Sequence, residues 1–279
     1  MELQQFWQRR RAKQRHFCNV KLHRADFYQA NLSGLDFSDS DLSQANLIWA
    51  DISGAILAGS NLRESVAIWV QGLWADLHGA DVRQADLSCA NLQAANLSNA
   101  NFTQAQLAGA NLSEVSGQDA CFDKANLWGV WALGADLSGA RLSCVDLSGA
   151  NLAGAQLVEA DLSWSQLSRV MGERANLASA CLEGCDLRAA NFKAAYLSHA
   201  DLSAANFQNA CLRAAHLQGV DLRGANLRGA DLTDANLTGA ILVGADLTGA
   251  ALVGTDLTDT TLPKGYTRPK GIPWGLKMA

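Results

Sequence analysis

The side chains best suited to chemistry are seven cysteines and five histidines, and their spacing predicts neither a metal site nor a disulfide. Cys181 and Cys185 form the nearest cysteine pair, on successive five-residue segments of the chain. His199 and His216 lack a third ligand nearby in the sequence, and such pairs are more often surface residues than metal sites. An odd number of cysteines without a paired motif is typical of free thiols in a reducing compartment. We therefore expect free thiols, no metal and no cofactor.

Aspartates offer a second candidate chemistry, because paired carboxylates can act as general acids and bases. However, 16 aspartates, such as Asp41 and Asp81, stand at one position of a five-residue repeat. Repetition at one position indicates side chains that satisfy backbone N–H groups and keep the surface hydrated. The sequence also lacks a Ser/His/Asp grouping and a glycine-rich phosphate loop. We predict that the chain is not an enzyme, with no catalytic residue and no small-molecule substrate.

A five-residue repeat must position all of these side chains. It holds one register from Val20-Lys21-Leu22 to Thr260-Thr261-Leu262 and has 49 centres, of which 44 are Leu, Phe, Ile or Val. The other centres are Ala67, Gly72, Gly117, Ala132 and Gly172. A small residue, usually Ala, stands two positions before each centre, and the residue between them is usually Asp or Asn. This alternation predicts a short strand with both apolar side chains facing inward.

The remaining residues of each repeat are predicted to turn the chain. A spacing of five excludes a continuous amphipathic helix, whose apolar residues recur every three or four positions. Glycine occupies the position two residues after the centre, which we call the turn position, in 18 repeats, including those with Gly34 and Gly139. Glycine is favoured there because it accepts a positive φ without steric cost. A chain that turns after every repeat must coil, so the pattern predicts a solenoid.

The repeated phrase resembles that of the pentapeptide-repeat family. Typical copies are Ala25-Asp26-Phe27, Ala30-Asn31-Leu32, Ala85-Asp86-Leu87 and Ala200-Asp201-Leu202. The segment from Arg15 to Leu22 resembles the start of the first coil in cyanobacterial members, so the chain looks like a long member of that type. The resemblance implies an all-β fold: a right-handed quadrilateral parallel β-helix with four repeats per coil and about 12 coils. Residues twenty apart, such as Trp49 and Trp69, should then be neighbours.

Residues 1–19 are predicted to form a basic N-terminal capping helix. Its apolar residues have helical spacing and precede a basic run: Leu3, Phe6 and Trp7. Because the terminal coils of a solenoid need caps, we expect this helix to cover the first coil. The alternative is a basic arm that binds nucleic acid or another anionic surface. Direct binding of nucleic acid is expected at no other part of the chain.

Residues 20–264 are predicted to be the repeat domain, and residues 265–279 a basic, proline-containing C-terminal tail or cap. All three prolines follow the last repeat: Pro263, Pro269 and Pro273. This placement fits a ladder that uses its backbone N–H groups, which proline lacks. We expect Tyr266 or Trp274 to cover the final coil. Docking of the tail on another molecule is the alternative.

Charge is distributed unevenly along the chain. Residues 1–24 contain seven Lys or Arg and one acid, and residues 263–279 contain four Lys or Arg and no acid. Residues 25–262 contain 26 acidic and 11 basic residues, a net charge of −15. No apolar run reaches the length of a membrane span, and the N-terminus lacks a signal-peptide hydrophobic segment. We expect a soluble, cytoplasmic protein.

Four segments depart from the consensus but keep the five-residue count: 65–74, 115–119, 130–134 and 170–174. We predict that they are altered sides of the coil rather than inserted loops. The residues that mark these structural interruptions are Val70, Gly72, Gly117, Val130, Ala132, Val170 and Gly172. The three valines differ by multiples of twenty, so one side should contain them all. That side is also the least acidic, because Asn commonly precedes its centres.

Tryptophan and isoleucine residues are concentrated near these interruptions and predict a surface that binds a protein partner. The candidate residues are Ile48, Trp49, Ile68, Trp69, Leu73, Trp74, Trp128 and Trp131. Exposed apolar clusters mark interaction surfaces, and Trp is enriched at binding hot spots. The alternative is that Trp69 or Trp74 turns inward and fills the space left by Ala67 and Gly72.

Two functions fit these features. The first is a non-catalytic scaffold or regulatory protein that binds an unidentified protein partner, which resembles the role of long cyanobacterial members linked to regulation. The second is a DNA mimic: family members of this kind bind DNA gyrase, and a topoisomerase or another DNA-binding protein would be the partner. The acidic coil favours the mimic. Against it, this chain lacks the projecting loops of the quinolone-resistance type, and a basic tail replaces the dimerising helix of such members.

Overall fold

A computed structural model of the chain describes residues 1–265. Our expectations for Tyr266 and Trp274 lie outside the described residues. The described chain divides into two compact units: unit 1 is Met1–Arg141, and unit 2 begins at Leu142. Both units consist of five-residue repeats, and unit 1 also contains an α-helix.

The helix, α1, spans Leu3–Arg11 and buries the Phe6 side chain completely. The ring centroid of Phe6 lies 4.6 Å from that of Phe17, 5.3 Å from that of Phe27 and 5.8 Å from that of Phe37. Burial of one such side chain stabilises a fold by about 1.5–3 kcal/mol. Within residues 1–265, no helix is long and apolar enough to span a bilayer.

The repeats of each unit are joined by parallel β-bridges between residues twenty apart. In unit 1 the first such bridge joins His16 to Asp36 and the last joins Cys121 to Arg141. In unit 2 the first such bridge joins Asp146 to Gln166 and the last joins Ile241 to Thr261. A coil therefore contains twenty residues, or four repeats. Because Phe17 is 1 % exposed and follows a bridged residue, the coil register begins one repeat before Val20.

The hydrogen bonds of one repeat, residues 41–45, explain why Asp or Asn precedes the centre. Leu42 and Gln44 donate their backbone N–H groups to carbonyls of the next coil, and Asp41 donates to the previous coil. Ala45 donates to the carbonyl of Leu42 and closes the turn. The fifth N–H, that of Ser43, donates to the Asp41 carboxylate at 3.0 Å. A short side chain with a carbonyl or carboxylate oxygen therefore completes the hydrogen bonding of the repeat.

Positive φ angles occur at the turn positions, as the glycines indicate. Gly34 has φ 61° and Gly139 has φ 67°. Other residues adopt the same conformation, including Trp49 at 57° and Ala94 at 56°. A left-handed conformation costs a residue with a Cβ atom roughly 1–2 kcal/mol, so tertiary packing must hold these turns.

The altered segments keep the coil register, because Gln71, Ser116, Trp131 and Met171 are each bridged to a residue twenty positions away. Val70, Val130 and Val170 are each at most 1 % exposed. At Gly72, the position that a Cβ atom would take lies 2.8 Å from Leu92 Cδ2 of the next coil. Neighbouring side chains likewise occupy this space at the other two glycine centres: Leu137 at Gly117, and Phe192 at Gly172.

Candidate functional site

Trp49 and Trp69 of unit 1 are stacked neighbours, which confirms the predicted twenty-residue register. Their ring centroids lie 5.3 Å apart and the ring planes differ by 5°. The two residues are 49 % and 44 % exposed. Both occupy turn positions with positive φ, so the backbone projects consecutive indole rings from one corner of the coil.

The neighbouring apolar residues extend this patch across one coil. Ile48 and Ile68 are half-buried and precede the two stacked tryptophans, and Leu73 is also half-buried. Trp74 is 67 % exposed. The alternative in which Trp69 or Trp74 fills the interior is wrong, because both rings are exposed and Leu92 occupies the space at Gly72.

Trp128 and Trp131, three positions apart in the sequence, are each 58 % exposed. Successive bridges join Gln71 to Asn91, Asn91 to Asn111, and Asn111 to Trp131. Trp131 therefore lies three coils beyond Gln71, or about 14 Å at the usual strand spacing. We refer to both groups together as the tryptophan surface: Ile48, Trp49, Ile68, Trp69, Leu73, Trp74, Trp128 and Trp131.

Side-chain amides connect the two parts of the tryptophan surface. The Asn91 amide donates to Gln71 Oε1 at 3.4 Å, and the Asn111 amide donates to Asn91 Oδ1 at 3.3 Å. Gln71 also donates to the backbone carbonyl of Trp69 at 3.1 Å. The residues between the two Trp groups on this side are therefore uncharged and mutually hydrogen-bonded, which agrees with the low acidity expected there.

Three exposed aromatic features were not predicted from the sequence. Tyr28 is 52 % exposed in unit 1, and Trp164 is 58 % exposed in unit 2. Tyr196 stacks on His216 with centroids 4.7 Å apart and planes 3° apart. The sequence contained the signal, because Trp164 occupies a turn position like Trp49, and Tyr196 and His216 are separated by one coil.

The cysteines and histidines are not gathered into a site in the described chain. All seven cysteines are free. His216 stacks on Tyr196, whereas His199 lies over Gly219. Residues 1–265 contain no group of three or more His, Cys, Asp or Glu side chains that could hold a metal ion. Burial raises the pKa of the Cys185 thiol to about 12, and this thiol donates to the carbonyl of Leu162.

Several aspartates also pair with an arginine of their own repeat. Arg83, Arg188 and Arg223 each contact the aspartate two residues earlier through Nε and Nη2. The hydrogen bond from the arginine lowers the pKa of Asp81, and Asp186 is affected in the same way. These carboxylates therefore remain ionised at neutral pH and engage local backbone and side-chain groups.

Comparison with known families identifies the repeat. The family model described as pentapeptide repeats matches segments 21–59, 45–68, 75–114, 90–129, 120–155, 133–169, 155–193, 173–209, 210–249 and 240–264. The chain belongs to the pentapeptide-repeat family. As a pentapeptide-repeat protein it folds as a right-handed β-helix, in agreement with the parallel bridges of each unit.

Three solved structures are similar to the chain over 33% to 96% of its length. HetL from the cyanobacterium Nostoc sp. strain PCC 7120, described as involved in heterocyst differentiation regulation, is 30% identical over 96% of this chain and 100% of its own, with TM-score 0.45. Rfr23 from the cyanobacterium Cyanothece 51142 is 42% identical over 33% of this chain and 63% of its own, with TM-score 0.32. Full-length QnrB1, a plasmid-mediated fluoroquinolone resistance protein, is 18% identical over 89% of this chain and 92% of its own, with TM-score 0.22. No curated protein sequence matches the chain.

The matched segments leave out residues 69–74. This gap contains Trp69, Leu73 and Trp74 of the tryptophan surface, together with the glycine centre at Gly72. Within this pentapeptide-repeat protein, the departure from the family pattern therefore coincides with part of the tryptophan surface.

Proposed function

We propose that this pentapeptide-repeat protein is a non-catalytic scaffold or regulatory protein that binds a protein partner through the tryptophan surface. The observation that carries the proposal is the stacked, exposed pair of Trp49 and Trp69. Contiguous exposed apolar groups mark interaction surfaces, and Trp is enriched among the residues that contribute most binding energy. A partner with an uncharged apolar patch is expected, since none of the eight residues is charged.

The turn conformation presents the rings of three tryptophans at the surface. Trp49, Trp69 and Trp74 occupy turn positions where glycine carries no conformational penalty, and their φ angles are 57°, 59° and 56°. Each Trp accepts a cost of roughly 1–2 kcal/mol for this conformation. Their rings remain substantially exposed, so burial in the core does not offset that cost. Packing between coils holds this conformation, as at the other turn positions, and leaves the rings accessible to a partner.

The proposed absence of catalysis is supported by the environment of the carboxylates. Asp36 accepts hydrogen bonds from the backbone N–H and hydroxyl of Ser38 at 3.0 and 2.6 Å. Asp186 and Asp221 are held by arginines of their own repeats. These side chains serve the turn and the surface, which leaves them poorly placed for proton transfer to a substrate.

We also propose how the chain is divided into a cap and a binding domain. Residues 1–19 contain the N-terminal cap, in which α1 lies over a quadrilateral coil whose first repeat includes Phe17, and residues 20–264 form the rest of the binding domain. The basic, proline-containing tail or cap predicted for residues 265–279 lies outside the described residues, apart from Gly265. Burial of Phe6 against Phe17, Phe27 and Phe37 supports the N-terminal cap, and the four-repeat coil supports the quadrilateral shape. A regulatory role draws on HetL, which is described as involved in regulation.

Binding as a DNA mimic is the second candidate function. Residues 25–262 contain 26 acidic and 11 basic residues, so a DNA-binding protein would meet a strongly negative surface there. A DNA gyrase supercoiling assay at micromolar protein tests this candidate. Inhibition or protection of the enzyme supports mimicry, and unchanged supercoiling dismisses it for gyrase.

Quantitative capture of the partner tests the leading proposal. Tagged wild-type protein, a Trp49→Ala/Trp69→Ala variant and a Trp164→Ala control are incubated with extract of the native host, and bound proteins are measured by mass spectrometry. Trp164 is a suitable control because it is exposed at a turn position of unit 2. We expect one or more proteins to be retained by wild type and the control and reduced at least about tenfold in the double variant. Equal recovery with all three proteins would remove the stacked pair from the binding site.

A further inference from the structure

The N-terminal end of unit 1 has a dense group of basic residues. Within residues 1–24 these are Arg9, Arg10, Arg11, Lys13, Arg15, Lys21 and Arg24, and Glu2 is the one acid before Leu22. Six of the seven are exposed, and Arg10 is half-buried. The local charge is therefore strongly positive, in contrast to the acidic repeats that follow.

The fold brings these residues to both ends of α1. The N-terminal ammonium of Met1 donates to the carbonyl of Lys21 at 3.1 Å, so Lys21 lies beside the start of the helix. The last turn of α1 contains Arg9, Arg10 and Arg11, and Lys13 follows the helix. A nine-residue helix is about 14 Å long, so the backbone positions that carry the basic side chains are spread over about that distance.

The basic side chains are available for an external ligand. Arg9 contacts neutral atoms, the Gln14 side-chain oxygen at 2.7 Å and Met1 Sδ at 3.3 Å. None of the seven Lys and Arg residues forms an ion pair with a carboxylate in residues 1–265. Lys21 is bridged to Asp41 and interacts electrostatically with that carboxylate, whereas the other six cations are not neutralised by an ion pair within the described chain.

A membrane surface is a poor match for this group. Interfacial helices bind bilayers by inserting a free apolar face. Here Phe6 is completely buried, and Trp7 packs with its ring centroid 5.9 Å from that of Phe27. The apolar face of α1 is already occupied by the first coil, which leaves charge as the means of recognition.

We infer that this basic end binds the phosphate backbone of double-stranded nucleic acid without reading its sequence. A duplex carries one negative charge per ~1.7 Å, so a 14 Å length presents about eight charges to the seven cations. Exposed Lys and Arg side chains neutralise phosphates and release counterions, which supplies affinity independent of sequence. This activity is separate from the tryptophan surface and from mimicry of DNA by the acidic repeats.

The test is fluorescence anisotropy of a labelled 20-base-pair DNA titrated with the full chain at several NaCl concentrations. The test variant combines Arg11→Gln, Lys13→Gln and Arg24→Gln, all at exposed positions. The control combines Arg169→Gln, Arg174→Gln and Lys193→Gln, which removes the same charge from exposed positions of unit 2. Circular dichroism and thermal melting check that both variants fold.

We expect the wild type and the control to bind with matching affinities, and the test variant to bind at least about tenfold more weakly in 50 mM NaCl. The slope of log K against log salt should fall by about 0.9 for each phosphate contact removed, or up to about 2.7 for three. Absence of saturable binding, or equal weakening of both variants, would overturn the inference. Binding to anionic phospholipid vesicles but not to DNA, or a change in self-association in place of DNA binding, would also overturn it.

Discussion

Trp49 and Trp69 stand twenty residues apart in the sequence, and their indole rings stack with centroids 5.3 Å apart. The same separation applies to the bridged residues of both units. One coil thus places each side chain beside its equivalent in the next coil. The ring contact links two coils of unit 1 at a position where both residues adopt a positive φ.

This stack should be measurable as a coupling energy. Trp49→Ala, Trp69→Ala and the double variant form a thermodynamic cycle, with urea unfolding as the measurement. Because stacked aromatic pairs contribute about 0.5–1.5 kcal/mol beyond area burial, we expect a coupling in that range. Trp74→Ala serves as a control, since Trp74 is 67 % exposed, and should show a smaller coupling to Trp49. A coupling indistinguishable from zero for the 49–69 pair would contradict the stacked geometry.

Gly172→Ala should destabilise unit 2 by overpacking its core. The added Cβ atom meets the ring of Phe192, and overpacking of a core typically costs about 1–3 kcal/mol. Gly117→Ala is a milder comparison in unit 1, because its obstacle is the flexible end of Leu137, 2.8 Å away. Adding Phe192→Leu to Gly172→Ala should restore part of the lost stability in chemical denaturation. If both glycine variants melt like wild type, the assigned packing at these centres is wrong.

Gly184→Ala and Gly224→Ala separate steric contact from backbone strain. The two glycines have φ 65° and 66°, so both variants incur a similar backbone penalty of roughly 1–2 kcal/mol. At position 184 the new atom also lies 2.6 Å from ring atoms of Trp164, whereas nothing lies within 4 Å at position 224. We expect a lower melting temperature for Gly184→Ala than for Gly224→Ala, and recovery when Trp164→Ala is added. Equal melting temperatures would show that the Trp164 ring does not cover Gly184.

Acid should weaken the fold through Asp36 of unit 1. The hydroxyl of Ser38 donates to its carboxylate and holds the pKa of Asp36 well below its usual range. A carboxyl group with a lowered pKa in the folded state stabilises the fold above the unfolded value of about 3.9, and this contribution is lost as the pH falls. Asp36→Asn keeps an oxygen that accepts the Ser38 N–H but cannot titrate. Between pH 5 and pH 3, the urea midpoint should fall further for wild type than for Asp36→Asn, and parallel curves would exclude this contribution.

The fold could be predicted from the sequence because its signal is a repeat. Each centre and each small residue recur every five positions, and turn glycines such as Gly34 and Gly139 indicate where the chain bends. That register alone placed Trp49 beside Trp69. The same register explains the Tyr196–His216 stack, because aromatic residues one coil apart at the same repeat position are neighbours.

Other features depend on side-chain geometry that the repeat does not specify. The space at Gly72 is occupied by Leu92 of the next coil, and the rotamer of Leu92 determines this filling. Helical spacing predicted a helix within residues 1–19, of which α1 occupies Leu3–Arg11, but the packing of Phe6 on Phe17 depends on how the helix crosses the first coil.

Site-specific photo-crosslinking tests most directly whether the tryptophan surface binds a protein partner. A benzophenone amino acid is incorporated at Trp74 or at Val253, which are 67 % and 65 % exposed in unit 1 and unit 2 respectively, and the native host is irradiated. The account predicts a discrete crosslinked protein from position 74, lost when Trp49→Ala/Trp69→Ala is added, and no such product from position 253. The same product from both positions, or a product from position 253 alone, would contradict it.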